Sequence, residues 1–314
     1  NNGKLRSPTS VFVTDTGRGI AVSFGLNPFS GVNYLIKVPM EVNFEGLKVT
    51  GNSIYQGLGG LTMAYLGASA KITDNFAFGV SGFATFGVIK SSITTSFNDD
   101  NFFTVENRSE NKFNGYGVRM GVLYEPVRNL NIGLFSEQHL SLKYDSEVIY
   151  NSNFNTDTTK TNSNTVALPK CYGIGGSYLT GKFRIGSDIK LYQLKGMDYN
   201  SGPETEYTDM MVYSLGVSRI GSASSGADYS DRVTYNFGLG MKQLYYKFQG
   251  EQIKDVFVSF GGNFPLIGTS ILDVALTFGN RGLSSKNMVN EFYGRLTIDL
   301  SIGEIWFRPI KREY

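Results

Sequence analysis

Segments of about ten residues alternate apolar and polar positions along most of the chain, the pattern of a strand with one greasy and one wet face. In 183–192, Phe183, Ile185, Ile189 and Leu191 fall on one side, with Arg184, Asp188, Lys190 and Tyr192 on the other. In 295–302, Leu296, Ile298, Leu300 and Ile302 oppose Arg295, Thr297 and Asp299. In 271–279, Leu272, Val274, Leu276 and Phe278 oppose Asp273, Ala275 and Thr277, and 116–124 sets Val118, Met120 and Val122 against Arg119 and Gly121. Along 233–242, aromatic and aliphatic residues alternate with Thr234, Asn236, Gly238, Gly240 and Lys242. A soluble sandwich core would not accept such a second face of charges and glycines without partners. An apolar outside around a polar inside is what a lipid-embedded barrel requires.

Connections supply an independent signal. Tight turns are expected at 73–75, 127–129, 180–182 and 265–269, and long polar loops at 45–56, 98–111, 151–163, 198–206 and 281–288. Short and long links alternate, as periplasmic turns and external loops do in outer-membrane barrels. The exception is 222–232, a long connection on the short-turn side. Counting from 10–14 gives about fourteen strands in one domain spanning 1–314, with both termini on the periplasmic side. Phe76, Phe78, Tyr124, Tyr178, Phe183, Phe264, Trp306 and Phe307 stand where an interfacial aromatic girdle would sit, and Tyr314 ends the chain on an aromatic.

Composition agrees. Among 314 residues there are 38 Gly, 23 Phe and 19 Tyr, with only 18% charged, too few helix formers for a large α-containing enzyme. Mean hydropathy is −0.15, and no run approaches a membrane-spanning helix. A formal charge of +2 gives no reason to expect nucleic acid, and one cysteine, Cys171, excludes a disulfide framework or a cysteine zinc site. The polar opening 1–8 contains no signal peptide, so an export signal is expected to have been removed.

Several segments look familiar once the barrel is in hand. Residues 57–89, 115–135 and 167–192, the last entered through Leu168 and Pro169, resemble hairpins of the FadL-type long-chain fatty-acid transporter family. The tail 268–314 is similar to the ending of its Bacteroidota branch. The resemblance implies a fourteen-stranded antiparallel transmembrane barrel, an N-terminal hatch plugging the lumen, and a kinked third strand opening sideways into the membrane. Only about nine residues precede the first strand, so the hatch is expected to be absent. Counted third, 32–44 carries Pro39 in its middle, where a missing N–H would force a bulge or an opening. Pro39 is therefore the candidate lateral exit.

Candidate lumen residues are Arg119, Arg184, Asp188, Lys190, Lys242, Asp273, Arg295 and Asp299, a belt of both signs that either selects a head group or packs the interior as ion pairs. Phe102 and Phe103 are candidate ligand contacts on an external loop, whose neighbours Asn98, Asp99, Asp100 and Asn101 lack the spacing and glycine of a dedicated Ca²⁺ loop. His139 and Ser141 form an HxS pair that a lipid hydrolase would use, but period two points them inward with Glu137 and Lys143. The glycine runs 115–121 and 173–181 precede no helix and are strand glycines, and the NRS at Asn107 is a glycosylation sequon in form only. No catalytic residue, metal site or cofactor is expected. Two functions fit. One is passive uptake of hydrophobic or amphipathic small molecules across a Gram-negative outer membrane, with lateral exit near Pro39. The other is a non-transporting adaptor or structural subunit of an outer-membrane secretion or surface complex. Expected partners are outer-membrane lipid, a hydrophobic ligand, or a protein of such a complex.

Overall fold

The computed structural model describes residues 9–15, 19–99, 101–151, 155–197, 205–224, 226–282 and 290–302. Among them are fifteen antiparallel strands and one four-residue helix. The strands are β1 (Thr9–Asp15), β2 (Ile20–Phe44), β3 (Leu47–Thr73), β4 (Phe76–Phe97), β5 (Val105–Val127), β6 (Leu130–Asn151), β7 (Thr156–Thr165) and β8 (Lys170–Thr180). They continue as β9 (Phe183–Gln193), β10 (Thr205–Tyr207), β11 (Met210–Arg219), β12 (Thr234–Phe248), β13 (Glu251–Pro265), β14 (Ile271–Gly282) and β15 (Glu291–Ser301). Helix α1 (Tyr229–Arg232) lies between β11 and β12. Thirteen strands pair successively, β7 adds to β6 and β10 to β12. No described helix is long and apolar enough to cross a membrane.

Backbone clustering divides the chain into two compact units. The first holds 1–72, 77–121 and 137–169; the second holds 73–76, 122–136 and 170–314. Strands β5 and β6 contribute residues to both.

The second unit shows why alternation reads so clearly. One register row runs Tyr178, Ile185, Val217, Phe237, Phe260, Leu276, Leu296 across seven strands, all exposed and all apolar. One residue along, the row on the opposite face is Ser177, Gly186, Gly216, Gly238, Ser259, Thr277, Arg295. Successive side chains of a strand point to opposite faces, so every hydrogen-bonded neighbour repeats the choice of its partner. The apolar face has no protein partner of its own. It is suited to lipid, and the smaller, more polar face is the inner one.

The four tight turns fall where the sequence predicts them, and three of the five expected long loops do not. Residues 45–56 are a two-residue turn followed by strand: Glu45 and Gly46 both take positive φ, 49° and 86°, as a type I′ hairpin turn requires. Likewise β5 begins at Val105 and β7 occupies 156–165, so much of the loops expected at 98–111 and 151–163 is ladder, while most of 198–206 and 281–288 lies outside the described residues. In the extension of β3, Val49 and Ser53 are buried among polar neighbours, which leaves little hydrophobic alternation to read. The long connection 222–232 contains α1 and is tied down by Arg219 on Asp231 at 2.7 Å.

Residues 32–44 are not a third strand. They are the far half of β2, in register with β3 from Ser30↔Leu61 to Phe44↔Leu47. The ladder passes through Pro39↔Asn52 unbroken. Among the described residues of the first unit no strand pairs with the other edge of 26–44, so the proline ring takes a donor from no described ladder on that side. The register shift lies instead between Pro28 and Ser30, where Phe29 is the extra residue.

Candidate functional site

The inner face carries two buried polar clusters, one in each unit. In the second unit, Asp255 of β13 is 0% exposed. Register places it between Lys242 of β12 and Arg281 of β14. Arg281 donates to its Oδ2 at 3.1 Å, and the Tyr293 hydroxyl of β15 donates to Oδ1 at 2.9 Å. Tyr293 is in turn flanked by two guanidiniums, Arg281 at 5.6 Å and Arg295 at 5.8 Å from its ring centre. Lys242 lies 5.3 Å from the centre of the Phe257 ring. A carboxylate removed from water is tolerated only when both oxygens are answered, and here they are.

Two of these aromatics also close the backbone. Phe257 and Tyr293 lie across Gly240 and Gly279 on the adjacent strands, in the space a Cβ would take. The first unit repeats the device with Phe83 over Gly117. Cross-strand aromatics over glycine restore the packing that the missing side chain forfeits.

In the first unit, the bulge at Phe29 aims its ring at His139, with centres 5.0 Å apart. Phe83 closes the other side at 4.9 Å. The His139 side chain is 4% exposed, so it is not the hydrated wall residue that a polar lumen suggests. Its Nε2 lies 3.5 Å from Glu137 Oε1, and Glu137 accepts from Arg119 Nε at 2.8 Å. Its Nδ1 has no hydrogen-bond partner among the described residues, and neither has the buried Thr85 Oγ1. No hydrogen bond joins His139 to Ser141 among them, so the nucleophile–base contact of a hydrolase is not made.

The predicted belt is thus distributed. Arg119 pairs with Glu137. Lys242 and Arg295 join the Asp255 cluster through Phe257 and Tyr293. Arg184, Asp188 and Lys190 line a cavity of about 810 Å³ in the second unit, together with Phe135, Phe257 and Ser259. Asp273 accepts from Asn263, which itself accepts from Asn236 at 2.8 Å, and Asp299 sits beside Asp273 in register. Asp255, Arg281 and Tyr293 escaped the sequence reading. Their signal was the inward alternation of Asp255, Phe257 and Ser259, masked by Lys254 beside Asp255.

At the β4–β5 connection, Phe102 packs on Phe97 with centres 5.4 Å apart, and Phe103 is exposed. Asp99 accepts from the backbone and side chain of Asn101, an ordinary Asx turn. Among the described residues no group of three or more His, Cys, Asp or Glu is placed to hold a metal. Of the expected aromatic girdle, Phe78, Tyr124, Tyr178 and Phe183 are exposed near tight turns, while Trp306, Phe307 and Tyr314 lie outside the described residues.

The family model that matches this sequence, over residues 12–313, is that of BamG. The chain belongs to the BamG family. The FadL likeness read from its hairpins holds at the level of fold. The chain is similar to the CymD monoaromatic hydrocarbon channel, at a TM-score of 0.62 and 14% identity over 96% of this chain and 82% of that one. It is also similar to the toluene transporter TodX of P. putida, at 0.54 and 12% over 94% and 86%. A FadL homologue of Pseudomonas aeruginosa aligns at 0.52 and 10% over 90% and 76%. No curated protein matches the sequence. This BamG-family chain therefore has the all-β, antiparallel barrel fold of such channels.

Proposed function

We propose that this BamG-family chain is a single barrel domain, residues 1–314, in the outer membrane of a Gram-negative bacterium of Bacteroidota type, acting as a non-transporting structural subunit of an outer-membrane complex. The observation that carries this reading is the Asp255 cluster. Asp255, Arg281, Tyr293, Lys242 and Phe257 spend their polar and aromatic surfaces on one another across four strands. A hydrophobic solute passing that wall would have to strip or displace a charged network, at several kcal/mol for an unpaired buried carboxylate. No chemical step and no cofactor form part of the proposal. The wall serves to hold strands rigid while external hairpins or the rim meet a protein partner.

A second reading, passive uptake of hydrophobic or amphipathic molecules with lateral exit near Pro39, is favoured by two observations. One is the fold shared with hydrocarbon channels. The other is the position of Pro39 on a strand edge without a partner in its own unit. In that reading Phe102 and Phe103 meet the ligand, and Arg184, Asp188 and Lys190 receive a polar head. The two separate in cells that lack their own hydrocarbon channel and express this chain. The structural reading predicts no gain in monoaromatic uptake over the empty vector. Uptake that rises severalfold and falls again in Pro39→Val would overturn it.

A further inference from the structure

On the tight-turn side of the second unit, α1, the β13–β14 turn and the end of β15 enclose an open groove of about 580 Å³ lined by Tyr229, Arg232, Pro265, Leu266, Ile267 and Leu300. Its floor is apolar, and Ile267 stands 94% exposed at its rim. Water is a poor medium for such a side chain. Leu300 continues the outward apolar face of Leu296 and Ile298, so the groove opens where that face meets the turns. One cation overlooks it. The Arg232 guanidinium lies 5.3 Å from the Tyr229 ring centre, and its buried Nε has no hydrogen-bond partner among the described residues. The nearby acid Asp231 is engaged by Arg219, and Asp228 stands at the helix N-cap with no side-chain cap bond.

We infer that the groove is a binding site for an anionic phospholipid of the leaflet on the tight-turn side. The lipid phosphate meets Arg232, and an acyl chain lies along Leu266, Ile267 and Leu300. The half-buried Arg232 guanidinium offers N–H donors to an anion, and the apolar floor beside it calls for hydrocarbon on the same molecule. The inference rests on the outward face being in lipid and is independent of whether the barrel transports.

The test is native mass spectrometry of the full-length protein in neutral detergent, incubated with phosphatidylglycerol or phosphatidylcholine, with folding checked by heat-dependent gel mobility. The detergent belt is weighed separately by light scattering. The wild type should retain one phosphatidylglycerol at least tenfold more than phosphatidylcholine. Arg232→Gln should abolish that preference, and Ile267→Glu, on a solvent-facing turn, should reduce retention of both lipids. Equal retention of the two lipids by the wild type, or an undiminished preference in folded Arg232→Gln, overturns the site. A protein with no detergent belt overturns the membrane reading as well, so the two failures are distinct.

Discussion

Asp255 and His139 are both buried on an inner face, yet their surroundings differ in one respect. Asp255 has a donor on each oxygen, Arg281 on one and Tyr293 on the other. His139 has Glu137 near Nε2 and nothing on Nδ1. A buried carboxylate with a donor on each oxygen is part of the scaffold, because its removal strands its partners. A half-answered imidazole held between Phe29 and Phe83 behaves mostly as a third aromatic ring in a stack. The difference separates the polar residues that hold the wall from those that merely occupy it.

Substitutions can break the comparison, beginning with the acid. Asp255→Ala leaves Arg281 and Lys242 facing an empty site and should cost about 3 kcal/mol, the lower end of the range for a broken buried pair because Arg281 is partly exposed. Urea unfolding in detergent micelles measures it, and Asp255→Asn, which can still accept from Tyr293, should cost less. Next in size is Gly240→Leu, whose side chain must evict the Phe257 ring and with it the contact to Lys242, at roughly 1–3 kcal/mol. His139→Phe should lie within about 1 kcal/mol of the wild type in the same assay, since it keeps the ring and removes an orphaned nitrogen. A loss as large as that of Asp255→Ala would put His139 in the scaffold too.

The smallest effect is expected outside the wall, at Lys90 and Glu110, 2.8 Å apart on the extensions of β4 and β5. The hydrogen bond from Lys90 holds the Glu110 carboxyl below its ordinary range, so what the pair contributes is present above the unfolded-state value and fades as pH falls through the folded one. Both groups are solvated, so Lys90→Ala should leave the pH profile of the urea midpoint unchanged within error.

How much of this could be read beforehand follows from which contacts are local. Leu296, Ile298 and Leu300 show their face by period two because lipid-facing strands need no partner side chain to be recognised. The turn at Glu45–Gly46 was hidden because Lys48, Thr50, Gly51, Asn52, Ser53 and Gln56 give the strand beyond it the composition of a loop. Arg119 could be placed inward, and its pairing with Glu137 follows from adjacent strands. The burial of His139 could not be foreseen. It depends on a one-residue slip at Phe29, more than a hundred positions away, and a slip leaves no mark in the alternation of β2. Pro39 illustrates the converse: a strong local signal through which the β2–β3 ladder runs unbroken.

In the proposed role the barrel wall supports a complex and does not pass cargo. The most direct test of that role is purification of the chain from its own membranes in mild detergent, followed by native mass measurement of everything bound. A protein partner in fixed stoichiometry is expected, retained when Pro39→Val is introduced and lost when Asp255→Ala loosens the wall. A barrel that carries a stoichiometric hydrophobic small molecule and no protein would contradict that role.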